Sequence, residues 1–133
     1  MGKAIAICNQ KGGTGKTTSA INVSAYMALL GKKVLLIDLD PQANATSGFG
    51  IDRHKIKVST YHVLLEELNI KEILQETVIQ NLLIAPSNLD LTGAEVELVG
   101  AMGREYRLKR ALAIEKDNFD FIFVFHFDLL IFN

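Results

Sequence analysis

Four residues near the amino end carry side chains suited to polyphosphate: Lys11, Lys16, Thr17 and Thr18, set among Gly12, Gly13 and Gly15. The stretch Lys11-Gly12-Gly13-Thr14-Gly15-Lys16-Thr17-Thr18 follows the G-x-x-x-x-G-K-[ST] phosphate-loop pattern in a deviant form, with an extra lysine at its start. Glycines let backbone N–H groups close around a phosphate chain. Lys16 can set a point charge against β- and γ-phosphates, and the Thr17 hydroxyl can ligate Mg²⁺. Further along, two carboxylates, Asp38 and Asp40, close the apolar run Val34-Leu35-Leu36-Ile37.

The flanking elements suit this chemistry. Ala4-Ile5-Ala6-Ile7-Cys8 reads as a short strand before the loop. After it, Ile21, Ala25, Ala28 and Leu29 fall on one face of a helix that Gly31 terminates. A helix that starts in the loop turns its free N–H groups and positive dipole end towards phosphate. Val34–Ile37 reads as a fully buried second strand. Residues 44–53 are expected to form a loop or short helix over the nucleotide site. Ser59 or Thr60 caps a helix carrying Tyr61, Leu64, Leu65 and Leu68. Ile70, Ile73 and Leu74 suggest another short helix, and Leu82–Ala85 a third strand. Thr92-Gly93-Ala94-Glu95 has capping-box spacing. Leu108, Ala111 and Leu112 mark a further helix, with Arg104, Arg107, Lys109 and Arg110 around it as a solvated face. Strands alternating with helices predict an α/β fold, a P-loop NTPase-like and mostly parallel sheet with helices on both faces. The phosphate-loop strand is expected inside that sheet, with Asp38–Asp40 near the mouth of the loop.

Composition narrows the function classes. A chain of 133 residues with net charge −1 has room for one core and no global basic field for nucleic acid. The single cysteine, Cys8, excludes a disulfide framework and a cysteine metal cage. His54, His62 and His126 lack metal-ligand spacing, so no zinc site is expected. With the first strand and loop starting almost at Met1, no signal peptide is expected, and the Phe-rich run near the carboxyl end is too short and too interrupted by His126 and Asp128 for a membrane helix, which makes a cytoplasmic location the default.

The loop together with Asp38-Leu39-Asp40-Pro41-Gln42-Ala43-Asn44-Ala45-Thr46-Ser47-Gly48 resembles the ParA/Soj group of chromosome- and plasmid-partitioning ATPases, within the deviant Walker A P-loop family. The resemblance runs from about residue 3 to about residue 124. It implies ATP and Mg²⁺ as cofactors, held by Lys11, Gly12, Gly13, Thr14, Gly15, Lys16, Thr17 and Thr18, with Thr17 and Asp38 on the metal side. It implies an ATP-sandwich homodimer in which Lys11 crosses to the partner's nucleotide, as an arginine finger does. Asp40 is then the carboxylate that positions the attacking water, and Lys11, Lys16 and Asp40 form the catalytic set. A ParB-like partner, non-specific DNA and association with the nucleoid are implied as well, and a membrane is not.

The resemblance breaks at the tail. Phe119-Asp120-Phe121-Ile122-Phe123-Val124 follows the family's next strand, but Phe125 stands where the family carries its Walker B carboxylate. Asp128 lies three residues further along the chain and does not replace it. Six of the seven phenylalanines lie between Phe119 and Phe132. The expected organisation is therefore residues 1–124 as the amino-terminal part of a ParA-like domain and 125–133 as a divergent, Phe-rich tail, with the chain a truncated copy whose end is read in a shifted frame. On this view the strand near Phe121–Val124 presents an open edge, and Phe123, Phe125, Phe127 and Phe132 have no core to enter. The alternative to an active switch is a non-catalytic fragment that binds nucleotide weakly or not at all. A different P-loop enzyme, such as an iron–sulfur carrier or small-molecule ligase, fits less well with the lone cysteine and the Asp-Pro-Gln run.

Overall fold

The computed structural model describes residues 3–8, 14–88 and 104–126. Five strands form one sheet: β1 (Lys3–Cys8), β2 (Val34–Asp38), β3 (Gln75–Glu76), β4 (Leu82–Ala85) and β5 (Phe121–His126). Their spatial order is β1-β5-β2-β4-β3. The first four of these run parallel, and only β3 pairs antiparallel, to β4. Among the described residues the α-helices are α1 (Thr14–Leu29), α2 (Asn44–Gly48), α3 (Thr60–Leu64), α4 (Ile70–Ile73) and α5 (Arg104–Glu115).

The central strands are apolar on both faces, as a parallel sheet covered by helices requires. Side-chain alternation divides the core into two clusters. Leu35, Ile37, Ile122 and Val124 face α3, α4 and α5 through Val63, Ile70, Ile73 and Leu108. Val34, Leu36, Phe123 and Phe125 face α1 and α2 through Ala20, Ala28 and Ala45. The expected face of α1 is rotated in the structure. The residues turned inward are Ala20, Ser24 and Ala28, while Leu29 is exposed. Small side chains let the helix approach the phenylalanines of β5, and Ser24 satisfies its hydroxyl by donating to the Ala20 carbonyl at 2.8 Å. The helix ends as expected at Gly31, whose φ of 91° suits a residue without Cβ.

Two expectations about the tail are corrected. The Phe121–Val124 strand is not at the edge, because β5 pairs with β1 on one side and β2 on the other. Phe123 and Phe125 do have a core, being 3% and 0% exposed beneath α1. A run apolar on both faces belongs in the middle of such a sheet, and the phenylalanines fill the space that the small residues of α1 leave. Conversely β1 lies outermost in the described sheet, rather than inside it. Phe127, Phe132, Asp128 and Thr92–Glu95 lie outside the described residues.

Candidate functional site

Parallel pairing brings the carboxyl ends of β1 and β2 to one end of the sheet. β1 leads into residues 9–13, and α1 begins at Thr14. Lys11, Gly12 and Gly13 lie outside the described residues, and Thr14, Gly15, Lys16, Thr17 and Thr18 are described by backbone alone, as the opening of α1. In register, Ile7 lies beside Phe125, and Phe125 beside Asp38. The end of β1 and the Asp38 end of β2 are thus two strand spacings apart, about 10 Å.

Asp38 shares the face of Val34 and Leu36, towards α1 and α2, and is fully buried. Its Oδ1 accepts from the Asp40 N–H at 2.9 Å. Its Oδ2 accepts from both the Thr46 N–H, at 2.8 Å, and the Thr46 hydroxyl, at 2.7 Å. Burial nevertheless dominates and lifts its pKa to about 7, with the hydrogen bonds from Thr46 and Asp40 pulling the other way. Asp40 has no exposed surface either. Its two oxygens accept from the Gln42 and Asn44 N–H groups, each at 2.9 Å, and burial raises its pKa too. The pair is therefore not a solvated strand end. Asp40 holds the turn that leads into α2, which passes through Ala43 in the left-handed region at φ 57°. That conformation costs an alanine about 1–2 kcal/mol. The Ala43 N–H bond to the Asp40 carbonyl, at 2.8 Å, and the bonds to the Asp40 carboxylate oppose that cost.

The oxygens present fit Mg²⁺. Thr17 and Asp38 offer a hydroxyl and a carboxylate, the hard donors this ion selects. Oδ1 of Asp38 takes one hydrogen bond and keeps a lone pair for a metal-bound water. A nearby cation would also favour the ionised carboxylate, so binding the metal and losing the proton are coupled. Phe125, the register neighbour of Asp38, contributes no oxygen where the family resemblance expects one.

Three hydroxyls to which sequence reasoning gave no role at the acids hold this end of β2. Thr46, Thr60 and Ser87 are all buried. Thr60 donates to the Asp38 carbonyl at 2.9 Å, and Ser87 to the Asp40 carbonyl at 2.6 Å. Ser59 caps α3 as expected, and its partner in the capping box is His62, whose Nδ1 accepts from the Ser59 N–H. Threonine in a strand-to-helix turn is a weak signal by itself. What gives these residues meaning is a partner distant in sequence.

Comparison with known proteins bears on the family and the fold. The profile of the AAA domain family matches residues 2–126. The sporulation initiation inhibitor protein Soj of Bacillus subtilis is 48% identical over 124 residues, which are 93% of this chain and 49% of that one. The chromosome-partitioning ATPase Soj of Treponema pallidum is 49% identical, over 93% of this chain and 48% of its own. Among solved structures, cobyrinic acid a,c-diamide synthase from Mycobacterium smegmatis with bound ADP and magnesium superposes with a TM-score of 0.88 at 41% identity, covering 93% of this chain and 50% of that one. This chain spans about half the length of the relatives it matches. Among the described residues, no helix is long and apolar enough to cross a membrane.

Proposed function

The chain belongs to the AAA domain family and to its ParA/Soj type, and on that premise we propose that it forms the nucleotide-binding half of an ATP-dependent dimerising switch in chromosome or plasmid segregation. The observation that carries the reading is the shared end of the sheet, where the end of β1, which leads towards the phosphate-loop sequence, and the Asp38 end of β2 stand two strand spacings apart.

Each residue then has a task. Lys16 and the N–H groups of Gly12, Gly13, Thr14 and Gly15 neutralise and orient phosphate oxygens, joined by the Thr18 hydroxyl. The Thr17 hydroxyl and the Asp38 carboxylate would hold Mg²⁺, which when bound offsets charge on the β- and γ-oxygens. Asp40 orients the attacking water through the lone pairs that its backbone donors leave free. Lys11 of a second copy reaches across to the transition-state charge, which makes turnover depend on dimerisation. A ParB-like protein and non-specific DNA are the partners proposed for the whole protein, in the cytoplasm and at the nucleoid.

One observation favours a quieter second reading. Phe125, fully buried beside Asp38, leaves the metal shell one carboxylate short, so this chain binds nucleotide without appreciable turnover. Calorimetry with ADP and ATP, paired with phosphate release, separates the two readings. Lys16→Ala should abolish binding, whereas Lys11→Ala should leave binding by the monomer nearly intact and suppress dimerisation and turnover. Equal loss of affinity in both variants refutes the division of roles. Turnover no greater than that of Lys16→Ala selects the second reading.

A further inference from the structure

We propose that Thr46 and Ser87 are positioning residues for the metal–nucleotide site, holding Asp38 and Asp40 from two separate segments of the chain. The inference rests on the reading that Asp38 faces Mg²⁺ beside the phosphate loop. Thr46 has one hydroxyl proton to give and gives it to Oδ2 of Asp38 at 2.7 Å, while its N–H donates to the same oxygen at 2.8 Å. Oδ2 is thereby filled, and Oδ1 becomes the oxygen with capacity to spare. Two donors on one oxygen also fix the rotation of the carboxylate about its terminal bond.

The Thr46 hydroxyl is itself aimed from outside its own segment. Its oxygen accepts from the Ser87 N–H at 3.0 Å. With that lone pair engaged, the hydroxyl proton is directed to Asp38. Ser87 follows β4, so it reaches this turn through the fold and not through local sequence. Its own hydroxyl donates to the Asp40 carbonyl at 2.6 Å. One residue therefore braces both acids, Asp38 through Thr46 and Asp40 through the backbone. All four residues have no exposed surface, so water cannot replace a lost partner freely.

A merely structural role and a positioning role differ in what they do to magnesium. Lys16 and the loop N–H groups grip phosphate with or without the metal, whereas Asp38 matters only with it. The test measures ADP affinity of the full chain by calorimetry, with Mg²⁺ and with excess chelator, for wild type, Thr46→Val, Thr46→Ser and Ser87→Ala. Valine keeps the shape of threonine and removes only the hydroxyl. Groups that orient a metal ligand are typically worth about tenfold to a hundredfold in metal affinity. Thr46→Val should therefore cut the gain in affinity that Mg²⁺ confers by about tenfold and leave metal-free affinity unchanged. Thr46→Ser should restore it to within about threefold, since the donor returns. Ser87→Ala keeps the N–H to Thr46 but releases the Asp40 backbone, whose own N–H holds Oδ1 of Asp38 at 2.9 Å, so it should cut the gain by a smaller factor, and should carry the test alone should Thr46→Val fail to fold. A full magnesium gain in Thr46→Val, or in Ser87→Ala if that variant alone folds, overturns the proposal by itself. So does an equal loss with and without the metal. Absence of any magnesium gain in wild type overturns the underlying reading of Asp38 along with it.

Discussion

At the scale of single residues, Asp38 links stability to pH. Its carboxyl is raised from the ordinary 3.8 to about 7 by burial. Between those values the folded chain holds a proton that the unfolded chain has released. Stability from this group is therefore complete below about pH 4, falls as pH rises, and is gone above about pH 7. At about 1.4 kcal/mol per unit the change amounts to a few kcal/mol. Asp40 is shifted in the same direction and adds to the slope. Urea unfolding between pH 4.5 and about 7.5, compared with Asp38→Asn, should show wild type losing stability towards neutrality and the variant following a flatter course. Parallel profiles would mean that the carboxyl is not desolvated in solution. Asp38 and Asp40 were legible in the sequence because they close an apolar strand beside a phosphate loop. Their burial was not, since it depends on α2, on Phe125 and on the segment after β4 folding over them.

At the scale of elements, α2 must lie close to α1 to bring Thr46 to Asp38, and Gly48 is where the two meet. A Cβ on Gly48 would stand 2.1 Å from Cδ1 of Ile21 and 3.4 Å from its Cγ1. The clash is with the end of a flexible side chain, so the cost of Gly48→Ala should be moderate, about 1–2 kcal/mol. Ile21→Val removes the offending methyl. In that background Gly48→Ala should become neutral or stabilising by up to about 1 kcal/mol, because alanine is the better helix former. Simple additivity in a double-mutant cycle would show that α2 does not sit against α1 in this way. Local signals announced several elements well: Gly31 ending α1, Ser59 capping α3, and the Val34–Ile37 run as a buried strand. The two-residue β3 carried no pattern long enough to read. The inward face of α1 was misread because its centre is Ala20, Ser24 and Ala28, and hydrophobicity alone favoured Leu29 over a buried serine.

At the scale of the whole molecule, strand order is the property that sequence patterning withheld, because it is set by pairings between distant segments. The runs that became β1, β2 and β5 were each recognisable, but nothing local says that the last is inserted between the first two. That insertion moves the exposed edge. One end of the described sheet is the short, antiparallel β3, whose Gln75 and Glu76 are polar and exposed, a common protection for an edge. The other end is β1, six residues long with the sequence Lys-Ala-Ile-Ala-Ile-Cys and one charge. Among the described residues, no strand pairs with its outer side. An uncapped, apolar, parallel strand is a template for association. We therefore expect concentration-dependent self-association through β1 rather than through the phenylalanines of β5. Successive residues of an edge strand direct their N–H groups alternately to the neighbour and outward, so proline at adjacent positions tests this. Of Ala4→Pro and Ile5→Pro, one removes a bond to β5 and should unfold the chain. The other removes only an outward donor and should stay folded while sedimenting as a smaller species at high concentration. If both fold and associate like wild type, β1 is not the surface through which copies of this chain meet.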